Sequence, residues 1–245
     1  MLLKNIFVHP RYPENLRKLI YLAYNIWALW DAEATKIFYR INPSLFRSLN
    51  KNPVNFLHAV PEERLQELSE DKAFLYDLEK IWKKYESYTT HQTKFNEVFK
   101  DRIIAYFSME YGLHQSIPNF AGGLGVLSGD HLKGVSDQGI PVIGIGLFYK
   151  YGYFNQRINL NGVQEEVYKE NSVYYMPIKE LKTLEGNAIY VTVTILDTPV
   201  KVKAWFINIG KTKLLLLDTN IDENPPEFRA ITDYLYVAKK DPRHS

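Results

Sequence analysis

From Pro13 to Ile41 the apolar residues Leu16, Leu19, Ile20, Ala23, Ile26, Trp27, Trp30, Ala34, Ile37 and Phe38 recur at steps of three and four. That period marks one face of an amphipathic helix and predicts a single long helix, with Pro13 in its first turn. Asn42-Pro43 interrupts the pattern, and shorter helices are predicted over 43–50, 53–59 and 61–69, each opened by a proline. A second long helix is predicted from Asp71, with Phe74, Leu75, Leu78, Ile81, Trp82, Tyr85 and Tyr88 as its apolar stripe.

Beyond residue 100 the period changes. Ile103–Met109 (IIAYFSM) is a continuous apolar run that suits a buried strand, and IPVIGIGLFY at 140–149 is a second. Between them lie a loop, the glycines at 122–125, and a segment in which Val126, Leu127, Leu132 and Val135 share a helical face. Strand, glycine loop, helix and strand form a βαβ unit, which imposes a parallel sheet. YGYFNQRINLNGVQEE then reads as a hairpin turning at Asn161-Gly162. Three further strands are predicted at Tyr190–Leu196, Val200–Ile209 and Lys213–Leu217, with Gly210-Lys211-Thr212 as a hairpin turn. In VKVKAWF the alternation sets Val200, Val202 and Ala204 on a buried face and Lys201 and Lys203 on a wet one. A helix is predicted to start after Pro226.

Composition sharpens this division. All 13 glycines lie between Gly112 and Gly210. Their absence from the first 111 residues marks a stretch of helices with ordinary connections. Thirty basic against 28 acidic residues leave a net charge of +2, which argues against a nucleic-acid partner. Zero cysteines exclude disulfides, thiolate metal sites and a cysteine nucleophile. The N-terminus lacks the look of a secretory signal, and no segment approaches the roughly 18 apolar residues of a membrane span. The chain is therefore expected to be cytoplasmic and free of membrane.

The candidate chemistry sits after the first strand. Glu110 follows its carboxyl end, and Gly122-Gly123-Leu124-Gly125 opens the next helix, the place where parallel sheets bind ligands. Consecutive glycines leave backbone N–H groups unobstructed, and a helix N-terminus favours anions. The motif is neither the GxGxxG dinucleotide fingerprint nor a GxxxxGK[ST] loop, so by pattern it is a tight structural turn or a phosphate cradle. The aromatic stripes of the first half, including Trp27, Trp30 and Trp82, are read as core packing rather than sugar stacking. His114 and His131 have no metal-ligand spacing, and His131 is read as a helix residue; no metal is expected.

AYFSMEYGLHQSIPNFAGGLGVLSGDHLKGVSDQGIPVIGIGLFYKYGYFNQRI at 105–158 closely resembles the start of the catalytic region of the α-glucan (glycogen, starch and maltodextrin) phosphorylases. LLLLDTNIDENPPEFRAITDYLY at 214–236 supports this, and LAYNIWALWDAEATKIFYRINPSLF at 22–46 resembles the extra helical domain of one bacterial and archaeal branch. The resemblance implies an α/β fold: a helical domain over 1–100, then over 101–245 the incomplete beginning of a Rossmann-like domain of the GT-B glycosyltransferase type. It implies an enzyme that releases glucose 1-phosphate from non-reducing ends of α-1,4-glucans with orthophosphate and pyridoxal phosphate.

Carried over by motif, Gly122, Gly123, Leu124 and Gly125 would lie against the substrate phosphate and the reacting glucose. Glu110 and Tyr111 would form an acidic-aromatic pair lining the same pocket, Tyr111 toward the cofactor. Glu110 would hold waters or sugar hydroxyls, or instead bond to the glycine-loop backbone. The hairpin 151–156 would be a structural block near the site, with packing as its first role. Ala121 replaces the asparagine of the animal and plant enzymes. The family's cofactor lysine and phosphate clamps lie beyond Ser245, so no catalytic residue is expected in this portion. The chain alone is expected to be inactive and not to hold pyridoxal phosphate. Its partners would be glucan, orthophosphate, the C-terminal remainder of the enzyme and, at full length, further copies. The alternatives are a starch- or glycogen-synthase-type glucosyltransferase using a sugar nucleotide, and a non-catalytic glucan-binding or complementing module.

Overall fold

A computed structural model describes residues 10–236. The first part is helical. The single helix expected from Pro13 to Ile41 is instead a 3-10 turn followed by α1 (Arg17–Ala23), α2 (Trp27–Trp30) and α3 (Ala32–Ile41). Two residues break it. Asn25 forms a β-bridge with Asn208, and the next N–H, of Ile26, donates to the Asn208 carbonyl at 2.9 Å, so the chain leaves the helix to meet a distant strand. Asp31 takes extended backbone and accepts the N–H of Ala34 at 2.9 Å, which starts α3 afresh. The apolar period survives because all three pieces face one core, which includes Leu16, Leu19, Leu22, Trp27, Ala34, Ile37 and Phe38.

The prolines act as expected for α4 (Pro43–Ser48) and α5 (Pro53–Ala59), each with proline at the first helical position and an asparagine cap. Next come α6 (Glu62–Glu70), α7 (Lys72–Thr90) capped by Asp71, and α8 (Lys94–Val98), a short helix that apolar periodicity does not predict. Trp27 is buried against Tyr85 and Tyr88, so its ring is core.

The second part is a mixed sheet. β1 (Ile104–Phe107), α9 (Gly123–Gln138) and β2 (Val142–Leu147) form the expected βαβ unit, with β1 and β2 parallel and Ala105 opposite Ile143. A hairpin of β3 (Asn155–Ile158) and β4 (Gln164–Val167) stands apart from the main sheet. The short β5 (Lys179–Glu180), then β6 (Tyr190–Ile195), β7 (Thr198–Ile209) and β8 (Thr212–Asp218) complete the strands, followed by α10 (Pro226–Arg229). The sheet runs β1-β2-β8-β7-β5, with β6 also on β7. β8 is parallel to β2, and β7 is antiparallel to β8, β6 and β5.

β1 is not the buried strand its apolar run predicts. It is an edge strand, and Phe107 is 70% exposed, because among the described residues it has a neighbour on one side only. The buried alternation of Val200, Val202 and Ala204 on β7 is observed, with Lys201 and Lys203 half-exposed opposite them. Leu132, Val135, Val142, Ile207, Leu214 and Leu216 form the core between α9 and the sheet, and Ile26 of the helical part enters it. Asn25 clasps the β7–β8 turn, donating to the Gly210 carbonyl at 3.0 Å and accepting the Gly210 N–H at 2.7 Å. The helical part thus docks at the β7–β8 turn, the end of the sheet opposite the carboxyl ends of β1, β2 and β8.

Candidate functional site

Glu110, just past the end of β1, is the organising residue. It is 1% exposed, and its Oε2 accepts the N–H groups of Ala121 at 3.0 Å, Gly122 at 3.3 Å and Gly125 at 3.2 Å. Its Oε1 accepts the hydroxyl of Tyr236. Burial by itself pushes the carboxyl pKa up, but the bonds from Tyr236, Ala121, Gly122 and Gly125 outweigh it and hold it below the ordinary value. Of the two geometries open to Glu110, the structure therefore has the one in which it binds the glycine segment's own backbone.

Gly122–Gly125 is not a loop before a helix. Gly122 is the N-cap, and Gly123, Leu124 and Gly125 are the first turn of α9. The first N–H groups of a helix have no partner within it. Glu110 supplies one for Gly125, while the N–H groups of Gly123 and Leu124 donate to no described residue. The glycines divide by role. A Cβ on Gly122 or Gly123 would meet nothing within 4 Å, whereas one on Gly125 would lie 2.3 Å from Phe120 Cβ. One on Gly129 would lie 2.2 Å from the Gly112 carbonyl oxygen. Gly125 and Gly129 let α9 seat on the 110–112 segment; Gly122 and Gly123 keep its end uncovered.

That end opens on a cavity of about 430 Å³ lined by Glu110, the 121–124 backbone, Tyr153, Phe154, Tyr168 and Tyr236. Four site residues expected from sequence meet here: Glu110, Gly122, Gly123 and Leu124. Gly125 stands behind them. Tyr111 does not line the cavity, which corrects the expected acidic-aromatic pair. Tyr111 turns into the core, where its hydroxyl donates to the Tyr106 carbonyl at 2.6 Å. Gly144 and Gly146 of β2 make room for its ring, and burial pushes the phenol up to about 12.

Tyr153 and Phe154, expected from the sequence to pack near the site, line the cavity, together with Tyr168 and Tyr236, which the sequence reading did not assign. Tyr153, Phe154, Tyr168 and Tyr236 come from three separated segments, in edge and tilted ring contacts at 4.5–6.2 Å between centroids. The YGYF and YLY clusters were the available signal, but nothing in them shows that Tyr236 meets Glu110 across 126 residues. His114 bonds Ser116 through Nδ1 at 3.0 Å, and burial lowers its pKa to about 4, so it is neutral. His131 packs against the Tyr106 ring on α9. Among the described residues no three His, Cys, Asp or Glu side chains cluster as metal ligands, and no helix is long and apolar enough to cross a membrane.

Residues 12–117 match a family described as a protein of unknown function (DUF3417). Over 96% of its length the chain is 43% identical to the maltodextrin phosphorylase of Thermococcus litoralis, of which it spans 29%. The chain matches an N-terminal portion of an α-glucan phosphorylase. It is 39% identical over 91% of its length to the glycogen phosphorylase of Aquifex aeolicus, covering 32% of that protein. With the glycogen phosphorylase of Mycobacterium tuberculosis it shares 35% identity over 98% of its length, covering 29%. The chain thus spans about three tenths of these phosphorylases. They are bacterial and archaeal, and the match takes in the helical part as well as the site.

Proposed function

We propose that this chain supplies the N-terminal part of an α-glucan phosphorylase, releasing glucose 1-phosphate from non-reducing ends of α-1,4-glucans with orthophosphate. In this reading 1–100 is a helical scaffold and 101–245 begins a Rossmann-like, GT-B-type catalytic domain, continued by the remainder of the enzyme. A cytoplasmic setting and full-length oligomers belong to the same reading. The observation that carries it is the unobstructed first turn of α9 at the carboxyl end of β1, facing an aromatic-walled cavity. The identity of most of the chain to maltodextrin and glycogen phosphorylases supports the same reading.

The residues present act by positioning. Glu110 fixes the first turn of α9 through three N–H groups, which leaves the Gly123 and Leu124 donors at a preset place for a phosphoryl or sugar oxygen. Because Glu110 already offsets part of the helix's positive end, these donors hold an oxygen without trapping an anion tightly. The phosphorylases imply pyridoxal phosphate, whose aldehyde needs a lysine. Among the described residues no lysine lines this cavity. The described residues therefore do not by themselves fit the cofactor, and it is assigned to the full-length enzyme.

Replacing the matching N-terminal portion of the T. litoralis enzyme with this chain tests the reading. The chimera is expected to form glucose 1-phosphate from maltodextrin and phosphate, while the chain alone with pyridoxal phosphate gives none above a protein-free blank. A chimera that folds but transfers glucose only from a sugar nucleotide would replace this reading with the synthase one.

A further inference from the structure

A second cavity, of about 300 Å³, opens where the helical part meets the β3–β4 arm. That is the lower end of the roughly 300–1,000 Å³ typical of small-molecule sites. One wall is formed by residues 48–55 of the helical part, the floor by 115–118, and the far wall by 151–155 and 169–176. The side-chain amides of Asn50, Asn55, Gln115 and Asn155 line it and hydrogen-bond no other described residue. Each amide offers both donors and acceptors. Tyr153 and Tyr175 add ring surface, and among the described residues the only charges on the lining are the adjacent Lys169 and Glu170, of opposite sign.

This chemistry selects among ligands. A phosphate calls for converging cations and a metal ion for converging carboxylates, and the described lining has neither. Free amides beside tyrosine rings suit an uncharged ligand with many hydroxyls and apolar ring faces. The walls are also fixed before any ligand arrives. Asn52 Nδ2 donates to the Tyr175 carbonyl at 2.6 Å, and Asn171 Nδ2 to that of Tyr149 at 2.8 Å. Gly152, at φ +63°, seats the arm on the floor so closely that a Cβ would lie 2.5 Å from the Pro118 carbonyl oxygen. Preset walls reduce the ordering cost of binding. Tyr153 lines this cleft and the Glu110 cavity alike, so the two sites adjoin.

We propose that the cleft is a second glucan subsite, holding the part of a maltooligosaccharide chain remote from the end placed in the Glu110 cavity. The ligand class rests on the glucan reading above. The assignment gives α4, α5 and the turn between them a binding role within the 12–117 segment whose family is of unknown function.

Calorimetry on the full chain with maltose, maltoheptaose and a β-linked cellohexaose control tests it. Maltoheptaose is expected to bind about tenfold tighter than maltose. The Asn55→Ala/Gln115→Ala double variant should lose about tenfold in maltoheptaose affinity, the equivalent of two neutral hydrogen bonds, and move maltose less than about twofold. An Asn50→Ala/Asn155→Ala pair on exposed positions gives the same comparison should the first variant melt early. Absence of maltoheptaose binding at millimolar concentration, equal binding of cellohexaose, or unchanged affinity in both folded pairs would overturn the subsite. A chimera that makes glucose 1-phosphate while both pairs bind normally would leave the phosphorylase reading standing and sink the cleft alone. Cleft-dependent binding with a silent chimera would do the reverse.

Discussion

Five helices of the first hundred residues, α3, α4, α5, α7 and α8, begin in the opposite way to α9. Asp31, Asn42, Asn52, Asp71 and Thr93 each cap a helix with their own side chain, accepting N–H groups two or three residues ahead. α9 has a glycine at the same position, and its first turn is held by Glu110, which lies 12 residues before Gly122 and 15 before Gly125. A local cap is self-contained and occupies the helix end. A borrowed cap ties the helix end to the end of a strand and leaves the outer surface of that end clear, as a binding site requires.

The largest effect expected from this contrast separates glycines within α9. Gly129→Ala drives a methyl into the Gly112 carbonyl and should cost about 3 kcal/mol or prevent folding. Gly123→Ala meets nothing within 4 Å and should be neutral or stabilise by up to about 1 kcal/mol. Denaturant melts of the two variants decide it. If both were equally destabilised, the division of glycines into packing and surface roles would be wrong.

Next in size is the borrowed cap itself. Glu110→Gln keeps the shape but removes the charge that three N–H groups and Tyr236 address, and should cost about 1.5–3 kcal/mol. Asp71→Ala removes a local cap from α7 and should cost about 1 kcal/mol. Equal costs measured by urea unfolding would remove the distinction between the two kinds of cap.

The same contrast explains what could be read before the structure. Local devices were legible: proline at the first position of α4 and α5, Asp71 ahead of α7, the Asn161-Gly162 turn, and the two-residue alternation on β7. Features decided by distant partners were not. The helix break at Asn25 depends on Asn208 and Gly210, the exposure of Phe107 on β1's having one neighbour, and the inward turn of Tyr111 on Gly144 and Gly146. At the site, Glu110 and the glycines stood out as a motif. The aromatic wall as a whole did not, because its three segments meet only in the folded chain.

The smallest effect compares two buried carboxylates at the carboxyl ends of parallel strands, Glu110 after β1 and Asp218 ending β8. Asp218 accepts Trp205 Nε1 at 3.0 Å and the Asn220 N–H at 2.9 Å, yet burial dominates and its pKa is raised. Glu110's pKa is lowered. The signs of linkage are therefore opposite. The stability Glu110 contributes is present above its unfolded-state pKa and is lost as pH falls through the lowered folded value. Asp218 contributes stability below its unfolded-state pKa, and that contribution is lost as pH rises through the raised folded value. On acidification the Tm advantage of wild type over Glu110→Gln should shrink, while that over Asp218→Asn should grow. Thermal melts across the acid range check both, and parallel trends would show that the borrowed cap is no more charge-dependent than an ordinary buried carboxyl.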